Sequence, residues 1–223
     1  MRTFSDFFFD KNKNQKMINR TLLKACKIGD TKLVVSLLSK NNVDPNFQEE
    51  QTGTTPLILA CKNGHLGVVS LLLEKNVNIN TQENYGDTAL IKACRCRHKD
   101  IVSLLLEKNA NPDIRDVDGI TALIYACNRG FKDIISLLLE KNADINIEDK
   151  GGKTALFFAS KNRYDDIIFL LKLSKYKKES LPKKILLLCC REYCEDSVFF
   201  KDFLPLDIFR YIFDIYREDF FLD

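Results

Sequence analysis

The chain lacks tryptophan and is poor in glycine (nine), proline (five) and histidine (two) for 223 residues. Sparse glycine and proline beside abundant leucine and isoleucine disfavour a turn-rich β-sandwich and favour helices. Charge of one sign is also lacking: 34 basic and 31 acidic side chains leave a net charge of +3, which demands neither nucleic acid nor an anionic membrane as partner. Long hydrophobic runs are missing, since the longest, such as 134–139 with its one serine, fall far short of a membrane span. The aromatic start at Phe4 and Phe7 to Phe9 is interrupted by Asp6 and Asp10, too short for the core of a secretion signal. With His65 and His98 the only histidines, no Ser-His-Asp or Cys-His constellation is supported. There is no glycine-rich phosphate loop, and paired acids occur only in polar loops. The expectation is a non-enzymatic protein without cofactor, metal, nucleic-acid or membrane partner, monomeric, in the reducing cytoplasm, or in the host cytoplasm if the source is viral or an effector.

What is present is a period. Leu57, Leu90, Leu123 and Leu156 are 33 residues apart, and the same step relates Gly53, Gly86, Gly119 and Gly152, and Ala60, Ala93, Ala126 and Ala159. A fixed step of this size marks a solenoid of stacked units. Thr55, Thr88, Thr121 and Thr154 each follow the opening glycine by two residues, where a threonine hydroxyl caps a helix N-terminus. A short helix follows, with Gly64 or Gly130 permitting the left-handed turn at its end. A second helix repeats Val68, Val69, Leu72, Leu73 as Ile101, Val102, Leu105, Leu106 and as Ile134, Ile135, Leu138, Leu139, which places the apolar side chains on one stripe. A polar hairpin of about ten residues leads to the next glycine.

The runs Gly53-Thr54-Thr55-Pro56-Leu57-Ile58-Leu59-Ala60-Cys61 and Gly119-Ile120-Thr121-Ala122-Leu123-Ile124-Tyr125-Ala126-Cys127 resemble ankyrin repeats, as do the tails Leu71-Leu72-Leu73-Glu74-Lys75-Asn76 and Leu137-Leu138-Leu139-Glu140-Lys141-Asn142. The resemblance covers roughly 17–172 and implies an all-α ankyrin solenoid of helix-turn-helix units joined by hairpin loops. Five repeats are expected at about 17–51, 52–84, 85–117, 118–150 and 151–172, after an N-terminal arm at 1–16. Leu22 lies 35 residues before Leu57, so the first repeat carries an insertion around 41–51. Ile58, Ile91, Ile124 and Phe157 replace a histidine usual in the family, and Arg97 and Arg163 stand where Gly64 and Gly130 stand elsewhere, so those turns are expected to be strained or differently turned.

Cys26, Cys61, Cys94 and Cys127 share one repeat position and read as small buried hydrophobes. Cys94, Cys96 and His98 form a C-x-C-x-H string, but a tetrahedral zinc needs about four ligands and Cys94 is expected to face the core. Cys189, Cys190 and Cys194 read likewise as helix-packing residues.

Ankyrin stacks resemble a cupped hand whose inner helices and hairpin tips hold a protein partner. Carried over position by position, that implies tip contacts at Asn84, Tyr85, Asp87, Val117, Asp118, Ile120 and Lys153, and inner-helix contacts at Lys62, Asn63, Arg95, Asn128, Arg129 and Lys161. Lys27, Lys62, Lys92, Arg95, Arg97, Arg129, Lys161 and Arg163 gather at inner-helix ends, and Glu49, Glu50, Glu83, Asp116, Asp118, Glu148 and Asp149 in the approaching loops. One reading is a basic floor with an acidic rim, suited to an acidic or mixed-charge segment; the other is a set of solvated charges favoured by helix dipoles. Asn80 and Asn146 match the hairpin asparagine that is hydroxylated in some ankyrin proteins.

After a lysine-rich linker, residues 183–203 align loosely as a degenerate sixth repeat. Further on, Leu204-Pro205-Leu206-Asp207-Ile208 with Ile212 is similar to the opening of F-box-like modules, in the short form that closes poxvirus ankyrin chains. The resemblance implies docking of a cullin ubiquitin-ligase adaptor through Leu204, Pro205, Ile208 and Ile212, while the repeats hold a target; the competing reading is an amphipathic helix capping the stack.

Overall fold

The computed structural model describes residues 4–40 and 42–178, with side chains described for 14–40 and 42–174. The predicted sixth repeat, the F-box-like run and Cys189, Cys190 and Cys194 lie outside the described residues. Two compact units divide the chain, residues 1–163 and 164–223.

All ten elements among the described residues are helices: α1 (Phe4–Ile28), α2 (Thr31–Leu38), α3 (Pro56–Lys62), α4 (Leu66–Leu73), α5 (Ala89–Arg95), α6 (Lys99–Glu107), α7 (Ala122–Arg129), α8 (Lys132–Glu140), α9 (Ala155–Lys161) and α10 (Asp165–Lys178). In the first unit α1, α3, α5, α7 and α9 pack in succession as an inner layer, and α2, α4, α6 and α8 as an outer one. Residues 4–16, expected as an arm, are helical and continuous with the first inner helix. In the second unit, α10 opens on Asp165 and Asp166, acids that suit a helix N-terminus, and buries Ile167 and Leu171 one turn apart.

The inner helices begin where their threonines stand. The hydroxyls of Thr55, Thr88 and Thr121 each accept from the backbone N–H three residues on, at 3.2 Å, and Thr154 does so at 3.4 Å. Each cap satisfies a donor that the first turn leaves free. Alanine and cysteine then fill the interior of the stack: Ala60, Ala93, Ala126, Ala159, Cys26, Cys61, Cys94 and Cys127 are all fully buried. Burial disfavours the thiolate, so the pKa values of Cys26 and Cys127 are pushed up to about 12, and those of Cys61 and Cys94 rise in the same direction.

Inner helices end in the left-handed region whatever the residue. Gly64 and Gly130 have φ of +76° and +72°, and Arg97 and Arg163 adopt +57°. The arginines therefore turn as the glycines do and carry the strain that a Cβ brings there. The rings at the starts of α4, α6 and α8 pack on the previous repeat's turn. A Cβ on Gly29 would lie 2.5 Å from the His65 ring, and one on Gly64 2.7 Å from that of His98. Nε2 of His65 lies 3.0 Å from the Lys27 carbonyl oxygen, and Nε2 of His98 3.3 Å from that of Lys62. Where the turn holds Arg97, the next ring is Phe131, with the guanidinium carbon 5.1 Å from the ring centroid. A cation–π contact there replaces a histidine seated on a glycine.

Asparagine and aspartate side chains tie the repeats together along the hairpin bases. Asn19 accepts from the Asp44 N–H, Asp44 from Asn46, Asn46 from Asn78, Asn78 from Asn80, Asn80 from Asn111, Asn111 from Asp113, Asp113 from Asp144 and Asp144 from Asn146, at 2.7–3.2 Å. Local Asx turns thus alternate with links between repeats, so loop backbone that would otherwise need water is satisfied within the protein.

Candidate interaction surface

The hairpin tips are joined directly. Asn84 N–H donates to the Thr52 carbonyl at 2.9 Å, Val117 to Tyr85 at 3.0 Å and Lys150 to Asp118 at 2.9 Å. Gly86 is required twice over: its φ is +77°, and a Cβ would lie 2.7 Å from the Val117 nitrogen. On this fixed frame Tyr85 is 70% exposed and Val117 45% exposed, neighbours in space through their shared backbone bond. Asp118 is exposed beside them and Ile120 is half-buried. Asn84 is exposed, but its amide donates to the Gln51 carbonyl at 2.8 Å. The Lys153 ammonium lies 5.4 Å from the Phe157 ring centroid.

At the inner-helix ends Lys62, Asn63, Asn128, Arg129 and Lys161 are all exposed. The Asn63 amide donates back to Leu59 at 2.8 Å, and the Asn128 carbonyl accepts from Asn162 at 3.0 Å. Tyr125 lies between two cations, its ring centroid 5.4 Å from the Arg95 guanidinium carbon and 5.5 Å from that of Arg129.

Two predicted contact residues have a different place. Asp87 is 1% exposed, so it is removed from the tip surface; it lies 2.7 Å from the Lys92 ammonium and 3.3 Å from the Arg95 guanidinium. Arg95 is only partly exposed and also meets Asp116 at 2.6 Å, across to the next hairpin. Lys92 reaches Glu83 at 2.5 Å, and Glu83 in turn accepts from the Thr54 hydroxyl at 3.0 Å. Burial opposes the charge on Lys92, but hydrogen bonds and attraction from Asp87 and Glu83 outweigh it, and its pKa is raised. Arg95 and Asp87 are therefore held by contacts between and within repeats, and the physical reason is mutual neutralisation of floor and rim.

The acidic rim is engaged elsewhere too. Glu50 lies 2.5 Å from Lys16, whose hydrogen bond holds the Glu50 carboxyl below its ordinary pKa. Asp116 and Asp149 each accept two hairpin N–H groups through Oδ1. Lys92 and Tyr125 were not among the predicted contacts. A signal existed for Lys92, because Leu59, Tyr125 and Phe158 occupy its place in the other repeats.

Cys94 is buried and Cys96 exposed, so the C-x-C-x-H string does not converge. Among the described residues no three histidine, cysteine or acidic side chains are grouped to hold a metal ion. Among them, too, no helix is long and apolar enough to cross a membrane.

Paired helices in two layers, threonine-capped, with bonded hairpin tips at a 33-residue step, define a helical repeat solenoid. A family model described as ankyrin repeats, in three copies, matches residues 22–116 and again 110–180. The chain belongs to the ankyrin repeat family, whose repeats generally serve as protein–protein interaction modules. It is similar to an ankyrin repeat and KH domain-containing protein of Caenorhabditis briggsae, 37% identical over 65 residues. That stretch is 28% of this chain and 2% of the relative, so the chain spans only a small fraction of that curated protein's length.

Proposed function

We propose that the chain is a non-catalytic module that binds a protein partner across its hairpin tips and inner-helix ends. The observation that carries this is the pair Tyr85 and Val117, large apolar side chains left exposed on adjacent tips whose backbones are bonded to each other. Exposed aromatic side chains on a rigid frame lose little entropy on binding and are favoured anchors. Asn84, Asp118, Ile120 and Lys153 flank the pair on the tips, and Lys62, Asn63, Asn128, Arg129 and Lys161 extend the surface along the inner helices; Asp87 and Arg95 support it from within. A photo-crosslinking residue at position 85 or 117 should trap a protein partner in cells, and the same residue at Glu74 or Glu107 on the outer helices should not. Equal trapping from both faces would overturn the assignment.

A second reading rests on the sequence run 204–216, which lies outside the described residues: recruitment of a cullin ubiquitin-ligase adaptor through Leu204, Pro205, Ile208 and Ile212. Co-precipitation of a cullin adaptor that disappears when residues 203–223 are removed supports it, and retention of the adaptor refutes it.

A further inference from the structure

We infer that the partner presents an extended acidic segment laid across the repeats in a three-residue register, its carboxylates meeting Lys62, Arg129 and Lys161 at the inner-helix ends, while the place of Arg95 is already filled by Asp87 and Asp116 of the chain itself. The inference rests on the interaction surface proposed above and specifies what it takes.

Every inner helix carries one cation at or next to its last residue: Lys27, Lys62, Arg95, Arg129 and Lys161. Among the described residues only Arg95 of this row has a carboxylate partner; Lys27, Lys62, Arg129 and Lys161 are exposed and make no salt bridge to another described residue. Several rim acids are engaged within the chain, Glu50 by Lys16, Glu83 by Lys92, and Asp116 by Arg95 and its own hairpin, while Asp118 and Glu148 stay exposed. The surface offered to solvent is therefore more cationic than the near-balanced composition implies. That favours an acidic over a mixed-charge segment on charge complementarity.

Spacing sets the register. Arg95 and Arg129 both reach the Tyr125 ring, at 5.4 and 5.5 Å, so their guanidinium carbons are at most about 11 Å apart. Packed helices stand about 8–10 Å apart, so the row has one cation per roughly 10 Å. An extended chain rises about 3.3 Å per residue and covers that step in three residues. A helix would need about seven residues, at 1.5 Å each. A nucleic-acid duplex carries charge every few ångströms along each strand, far denser than the row.

The test uses the full chain and three fluorescent probes in low salt: a peptide of about twelve residues with glutamate at every third position and serine between, an isomer with its glutamates contiguous, and an oligouridylate of similar length. The spaced peptide is expected to bind at least about fivefold more tightly than the contiguous one, and to lose that advantage in the Lys62→Gln, Arg129→Gln, Lys161→Gln variant. Neutral glutamines keep the helix ends free of new repulsion, and an unchanged urea midpoint checks the fold. Equal affinity for the two peptides, or tighter binding of the oligouridylate, overturns the spacing rule. If hydrogen exchange of the peptide complex still protects 62–63, 85 and 128–129, the interaction surface survives that failure. Protection confined to the outer helices overturns both.

Discussion

Replacing Asp87 with isoleucine should destabilise the chain by about 2–3 kcal/mol, and adding Lys92→Leu should recover only part of the loss, because Glu83 then keeps the Thr54 hydroxyl but loses its cation. Asp87 lies 2.7 Å from Lys92, a gross attraction of about 6 kcal/mol at an effective dielectric constant of 20, most of it offset by removing both charges from water. Removing one member of a buried pair leaves the other uncompensated, typically at about 3–5 kcal/mol. The cost here falls below that range because Lys92 keeps Glu83 at 2.5 Å and Arg95 keeps Asp116 at 2.6 Å. Each new side chain is one that a neighbouring repeat carries at the equivalent position, Ile120 for Asp87 and Leu59 for Lys92. Urea unfolding followed by circular dichroism gives the four corners of the cycle. A coupling of about 1 kcal/mol is expected. Additive losses, or an Asp87→Ile variant within about 0.5 kcal/mol of the parent, would refute the claim that this network stabilises the stack.

Three other outcomes follow from the packing. The four buried thiols have folded pKa values raised above the unfolded value of 9.0, so their contribution is complete below pH 9 and is lost as pH rises towards the folded values. Urea midpoints should be flat from about pH 7 to 8.5 and fall steeply by pH 10, by of the order of 1 kcal/mol per thiol, with a shallower fall in Cys61→Ala, Cys94→Ala. Thr88→Ala should cost about 1 kcal/mol by exposing the Ile91 N–H, read from the same urea curves, and Thr88→Ser should restore it. Brief alkylation and peptide mapping should modify Cys96 and spare Cys26, Cys61, Cys94 and Cys127, since only Cys96 of these five is exposed.

The architecture was legible because the 33-residue step carries its own chemistry: threonine where a helix starts, alanine and cysteine inside the stack, glycine where the chain turns. Arg97 shows how far such a pattern reaches, since the sequence marks an irregular residue but not whether the turn changes. The fold keeps the turn, at φ +57°, and compensates with the Phe131 ring one repeat away. The interaction surface was only partly legible. The ankyrin resemblance implies Asp87 at a tip and Arg95 on the floor, but whether they face a partner or each other depends on distances across one repeat boundary. Lys92 in an otherwise apolar register was the clue to that pairing. Tyr125 gains its place between two guanidiniums only because α5 and α7 are neighbours.

The rings seated on the preceding turns restrict how such a chain can be rearranged. His98 fits because Gly64 has no side chain, and Phe131 fits because Arg97 supplies one. Excising the unit between them would bring Phe131 against Gly64, leaving a gap where a guanidinium had been; reversing their order would drive a histidine into an arginine. Each unit is keyed to its predecessor, so shuffling or duplicating units requires the turn and the following ring to be inherited together.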